Sequence, residues 1–309
     1  MKVLYIEPRH PSKEYYHYNS LYDGLKENNC DIKKVERLNN CNPKHLDKFD
    51  LILFGYSPCT HLYQLNITNT KTPIIMFLYK FSCFKEEKIN FMKRNKHINF
   101  YGSQYRINEF NKKYDINIKP TLYPFNPKIF YDQKLEKIFD IGMSGDLHLK
   151  QHYHEDAFLG LEKDLRPKII NTIKSQNWNS FVNCMNKYQV GEKQSISLPE
   201  YSKKINQSKI WVAVNADHGD LTPRYCEVIA SKTLLFCNEQ NSDTFKHIFR
   251  DKETCVFFKN DLSDFVEKVN YYLENTKEYN KIINTAYEEF HSKYTVKEIV
   301  NNYLCLKNF

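Results

Sequence analysis

The 309-residue chain has no run of 18 consecutive apolar residues, so no membrane-spanning helix is expected. It has no C-x-x-C pair among its nine cysteines, and their odd number and scattered positions argue against both a zinc ribbon and a disulfide framework. A G-x-G-x-x-G fingerprint and a Walker-type phosphate loop with its lysine are also missing, as is any recognised nucleic-acid-binding motif. There is no repeat of solenoid period and no low-complexity tract. Met1–Pro11 runs straight into a short strand pattern rather than a long apolar h-region, so no secretory leader is expected. Cys226, Cys237 and Cys255 lie inside apolar segments, where a free thiol behaves as a small hydrophobe, and a reducing, cytoplasmic setting follows.

A hydrophobic content of 41% with 27% charged residues belongs to a globular protein, and the length suffices for two domains with separate cores. The aromatic content of 15% reads as compositional bias rather than as a binding surface. A formal charge of +8 permits attraction to nucleotide-sugars, to an anionic membrane surface in peripheral contact, or to nucleic acid, and by itself selects none of them.

Short apolar runs alternate with helical patterns, the signature of βαβ units and parallel sheets. The first series has strands at Val3–Ile6, Ile32–Val35, Leu51–Phe54, Ile74–Leu78, Ile98–Tyr101 and Ile118–Tyr123. Tyr123-Pro124-Phe125-Asn126-Pro127 breaks it. A second series begins at Ile138–Met143 and continues through Ser180–Cys184, Ile210–Val214, Thr233–Cys237 and Thr254–Phe258. Its helices are expected at Glu162–Ser175, Leu198–Asn206 and Leu262–Glu274, and two more close the chain at Thr276–Phe290 and Val296–Leu306. The domains are therefore expected at 1–133 and 134–291.

The run Leu221–Ser231 (LTPRYCEVIAS) carries the most chemistry. Thr222 suits an N-cap and Pro223 the first helical position. Leu221, Tyr225, Val228 and Ile229 form a buried stripe, while Arg224, Glu227 and Ser231 share another face. An arginine in the first turn opposes the helix dipole, yet with the free backbone N–H groups it makes an anion site. Glu227, one turn on, is placed to accept hydroxyl hydrogen bonds; the plainer alternative is a surface Arg–Glu pair.

This segment resembles the donor-binding helix of two-domain GT-B glycosyltransferases, especially the spore-maturation-type (CgeB-like) group. The matching residues are Thr222, Pro223, Arg224, Glu227 and Ala230. The resemblance continues through Phe245, the Asp251–Phe258 strand, Asp261-Leu262, Tyr271-Tyr272-Leu273 and His291–Thr295. It implies two Rossmann-like domains facing across a cleft, with a C-terminal helix (about 292–309) returning to the first. The first domain would take the acceptor and the second a nucleotide-diphosphate sugar, with no bound cofactor and no metal. Arg224 would contact phosphate and Glu227 the ribose. Two departures stand out. Lys232 replaces the glycine that usually follows the helix, and Gly219 replaces a glutamate, with Asp220 beside it as a substitute.

Other groups attach to that reading. Gly142, Ser144 and Gly145 follow a strand and are placed to cradle a diphosphate through backbone N–H groups; Arg166 is a further phosphate contact, and Thr222 and Tyr225 complete the set. His10, beyond the first strand, is a candidate base toward an acceptor hydroxyl, and Gly55-Tyr56-Ser57-Pro58 a candidate acceptor wall. His148, His152 and His154 with Glu155 and Asp156 match no metal spacing. Asp217-His218-Gly219-Asp220 reads as a sugar-side loop. The function expected is sugar transfer from a UDP- or GDP-sugar to a hydroxyl acceptor such as a glycan. A nucleotide-sugar epimerase of the same fold and a non-catalytic polyanion-binding protein are the alternatives.

Overall fold

A computed structural model describes residues 1–6, 16–35, 43–55, 70–78, 85–103, 106–147, 165–185, 196–215, 221–239 and 244–305. The chain divides into two compact units, Met1–Phe125 with Lys293–Phe309, and Asn126–Ser292.

The first unit alternates strands and helices: β1 (Lys2–Ile6), α1 (Tyr16–Glu27), β2 (Asp31–Val35), α2 (Pro43–Leu46), β3 (Leu51–Phe54), β4 (Ile74–Leu78), α3 (Lys85–Arg94), β5 (Asn99–Gly102), α4 (Ile107–Tyr114) and β6 (Ile118–Pro120). The strands form one parallel sheet in the order β2-β1-β3-β4-β5-β6. Strands β3 and β4 are buried along their whole length, as expected of parallel strands covered on both faces. The short α2 has no counterpart in the hydrophobic pattern, because four residues carry too little periodicity to register.

The second unit contains β7 (Phe139–Asp146), α5 (Leu165–Lys174), β8 (Ser180–Met185), α6 (Leu198–Asn206), β9 (Ser208–Ala213), α7 (Arg224–Ala230), β10 (Leu234–Asn238), β11 (Val256–Phe258), α8 (Phe265–Glu274) and α9 (Thr276–Lys293). Its parallel sheet has the order β11-β10-β9-β7-β8. Numbered within the unit, this is the doubly wound order 2-1-3-4-5, and the crossover direction reverses between β7 and β9. The segment after Phe125 is bound into this unit: Ser202 Oγ donates to the Ile129 carbonyl (2.6 Å) and the Gln133 N–H donates to Asn206 Oδ1 (2.9 Å).

The last helix, α10 (Val296–Cys305), belongs to the first unit and lies on α1. Gly24 makes the crossing close, since a Cβ there would meet the Val296 carbonyl oxygen at 2.5 Å. Ile299, Val300 and Tyr303 join Leu21, Leu25 and the β1, β3 and β4 side chains in the core, and Tyr303 OH hydrogen-bonds Thr121 Oγ1 at 2.9 Å. The returning C-terminal helix expected from the sequence is therefore present. Among the described residues no helix is long and apolar enough to cross a membrane.

Candidate functional site

In an open α/β sheet, ligands bind beyond the carboxyl ends of the strands where the crossover direction reverses. In the second unit that place lies between β7 and β9. Pairing of β7 with β9 stops at Met143–Val212, whereas pairing with β8 continues through Ser144–Asn183 and Gly145–Cys184 to Asp146–Met185. The last turn of β7 thus has a ladder partner only on the β8 side among the described residues. The notch is backbone-lined, and two arginines approach it.

Arg224, the first residue of α7, donates from Nε to Ser144 Oγ (3.3 Å). Its guanidinium lies 3.8–4.0 Å from where a Cβ on Gly145 would stand. Gly145 has φ +149°, a backbone conformation that disfavours an L side chain, so the turn at the end of β7, rather than the room beside Arg224, calls for glycine. Arg166, on α5, donates to the Asn215 carbonyl just past β9 (3.3 Å). The thiol of Cys184 is pushed up to about 11 by burial, against the opposing fields of Arg224, Arg166 and Lys174, so these three cations share one neighbourhood. A strand end, a positive-φ glycine and converging guanidinium groups have the chemistry to hold an anion such as a phosphate or diphosphate.

Glu227 follows one turn later and is only 3% exposed. Its Oε2 accepts from Tyr201 OH on α6 at 3.0 Å. Burial raises the carboxyl to about 7, although the Arg224 charge and the Tyr201 hydrogen bond oppose that rise. Tyr201 is itself raised well above the usual phenol value, first by burial and then by the Glu227 charge. The carboxylate expected to line an open face is thus enclosed, and α7 is buried on all sides from Tyr225 to Ala230. The plain surface ion pair is excluded by that burial.

The N-terminal end of α7 differs from the sequence expectation. Pro223 (φ −52°, ψ −27°), not Thr222, stands at the N-cap position, and no side chain caps the helix. The Thr222 hydroxyl is buried without a hydrogen-bond partner. Pro223 already has helical dihedrals, and the Thr222 hydroxyl accepts no backbone N–H of the first turn, so it does not cap α7. At the other end, Lys232 adopts φ +53° where the resembled family has glycine. The Lys232 N–H bonds the Ile229 carbonyl and the Thr233 N–H the Val228 carbonyl, completing a Schellman turn. Lys232 Nζ lies 3.6 Å from Asp132 Oδ2 and over the Tyr287 ring, contacts that offset the left-handed strain.

A set of amides closes the neighbouring strand ends. Tyr225 OH donates to Asn215 Oδ1 (3.0 Å), the Asn215 N–H approaches Asn238 Oδ1 (3.4 Å), and Asn238 Nδ2 donates to Asn260 Oδ1 (3.1 Å). Tyr225 is fully buried and acts through this network.

Of the sequence candidates, the structure brings Ser144, Gly145, Arg166, Thr222, Arg224, Tyr225 and Glu227 to one end of one sheet. Gly142 sits deeper in β7, where a Cβ would meet the Trp211 ring at 2.3 Å and Ser208 Oγ at 2.8 Å. Its glycine admits the indole. His10, Tyr56-Ser57-Pro58, the His148–Asp156 cluster and Asp217–Asp220, including Asp220, lie outside the described residues. Tyr201, Asn215 and Asn238 were not singled out in the sequence. Asn215 and Asn238 were detectable, since each ends an apolar strand run at a carboxyl edge; Tyr201 looked like an ordinary core aromatic.

Residues 158–304 match the family described as Glycosyl transferase-like. No curated protein matches the sequence. Among solved structures, HepE of Anabaena, determined with UDP and glucose, is 10% identical and has a TM-score of 0.59, with 99% of this chain and 98% of that chain covered. A sucrose-phosphate synthase from Thermosynechococcus elongatus is 8% identical at TM-score 0.62, covering 100% and 98%. A glycosyltransferase from Rickettsia africae is 11% identical at TM-score 0.56, covering 99% and 97%. At these identities the shared property is the fold: two parallel-sheet α/β domains of the GT-B type.

Proposed function

We propose that the protein is a GT-B glycosyltransferase that moves a sugar from a nucleotide-diphosphate sugar to a hydroxyl acceptor. The observation that carries this reading is the convergence of Arg224, Arg166, Ser144 and Gly145 at the β7/β9 reversal, with Glu227 one turn behind. Phosphate oxygens would take the guanidinium donors and the free Thr222 hydroxyl, and the ribose hydroxyls would take the Glu227 carboxylate. UDP is the first nucleotide to test, because the similar HepE structure holds it; GDP is the second. The match of Thr222, Pro223, Arg224, Glu227 and Ala230 supports affiliation with the spore-maturation-type group.

Chemically, Arg224 would stabilise the negative charge that grows on the diphosphate as the sugar–phosphate bond breaks, an electrostatic role that counts most in a site from which water is excluded. Two arginines supply the countercharge that a divalent ion supplies elsewhere, so we read the reaction as metal-independent. The first unit supplies the acceptor surface, with His10 as the candidate base if the reaction inverts. A thermal-shift screen of UDP, GDP, ADP, TDP, CMP and their sugars tests the assignment. One base should raise the melting temperature selectively. Equal stabilisation by unrelated polyanions, lost steeply with salt, would instead favour a polyanion-binding protein.

A further inference from the structure

Tyr201 OH, on α6, donates to Glu227 Oε2 (3.0 Å), and one turn earlier on α7 Arg224 Nε donates to Ser144 Oγ on β7 (3.3 Å). The two contacts tie the first turn of α7 to α6 on one side and to the end of β7 on the other. The Tyr201 ring is held edge-on by Phe130 (6.0 Å) and Trp211 (5.8 Å), so the hydroxyl has little freedom to leave. Trp211 in turn occupies the space left by Gly142.

We propose that Tyr201 is a positioning residue of the nucleotide site, its hydroxyl holding the Glu227 carboxylate in place one turn from Arg224 so that the ribose contact is set relative to the phosphate contact. The inference rests on the donor-site reading given above. A tyrosine buried only for packing would need no polar partner, and phenylalanine would serve as well. Here the hydroxyl is spent on the one buried carboxylate of α7. Among the described residues, the charged and titratable groups that face Glu227 include Arg224 and Cys226 on its own helix and Tyr201 on α6. Of these, Arg224 and Tyr201 favour the carboxylate, and burial opposes it. An ionised carboxylate accepts two ribose hydroxyls, whereas the protonated form accepts fewer, so donor binding should weaken as pH falls through about 7. Removing the phenol should move that midpoint to higher pH.

The experiment is calorimetric titration of the full chain with UDP-glucose and with GDP-mannose from pH 5.5 to 8.5, a range in which neither ligand titrates. Wild type, Tyr201→Phe, Glu227→Gln and the double variant are compared. The expected result is binding of one donor that falls about tenfold between pH 8 and pH 6 in wild type. Tyr201→Phe should weaken it several-fold at pH 7 and shift the midpoint upward. In the Glu227→Gln background the same substitution should change affinity less than about twofold and leave no pH midpoint, because the ionised carboxylate that the phenol supports is gone. A uniform loss at every pH, or an equal loss in both backgrounds, would overturn the positioning role and leave the donor site standing. Binding of neither donor by wild type would overturn the donor-site reading and this inference with it.

Discussion

Glu227→Gln should stabilise the protein while disabling it. The carboxyl moves from an ordinary value of 4.5 to about 7 in the folded chain because burial disfavours its charge. Between those values the unfolded chain releases the proton and the folded chain keeps it, so the stability linked to this group is fully present below pH 4.5 and lost as pH rises through 7. Across pH 5 to pH 8 that loss is on the order of 2–3 kcal/mol. Glutamine has the same shape, keeps an acceptor oxygen for the Tyr201 hydroxyl, and does not titrate. The stability difference between variant and wild type should therefore widen by roughly that amount across the range, on the order of 5–10 °C in melting temperature for a domain of this size. Urea denaturation at pH 5, 6, 7 and 8 measures it directly. Curves that keep a constant spacing from pH 5 to pH 8 would refute the claim that α7 encloses a costly charge. A widening gap would mean that the site retains that carboxylate for binding at the expense of stability.

Three further outcomes follow from particular contacts. Gly142→Ala should lower stability by about 1–3 kcal/mol, measured by urea denaturation, because the added methyl has to displace the Trp211 ring. Lys232→Gly should be more stable than Lys232→Ala by about 1 kcal/mol, since both lose the Asp132 and Tyr287 contacts but only alanine keeps the left-handed strain; equal melting temperatures would argue that the turn is relaxed. Turnover of the nucleotide-sugar should be unchanged in excess EDTA, and a loss restored by one divalent ion would contradict the metal-independent reading.

The strand series was legible because parallel strands buried on both faces read as compact apolar runs, and β1, β3, β4 and β9 all announce themselves this way. The returning α10 was expected from the resemblance alone; no local signal tells that Ile299, Val300 and Tyr303 pack into the core of the first unit. Arg224 and Glu227 were visible through spacing, since a helix places i and i+3 on one face. Their surroundings were not visible. That Tyr201 caps Glu227 depends on α6 and α7 meeting across β9, a long-range fact absent from any window of sequence. The N-cap was misjudged for a local reason: Thr-Pro suits an N-cap followed by the first helical residue, but the proline took the boundary position itself.

Calorimetric titration of Arg224→Ala against wild type tests the donor-site assignment most directly, with the nucleoside diphosphate selected by the thermal-shift screen and its parent nucleoside as ligands. On that assignment Arg224 would contribute a charge-assisted contact of about 2–3 kcal/mol to the diphosphate and nothing to the base. The expected result is a roughly 30- to 150-fold weaker Kd for the diphosphate, an unchanged Kd for the nucleoside, and an intact fold by circular dichroism. Equal affinity of the two proteins for the diphosphate would contradict the assignment.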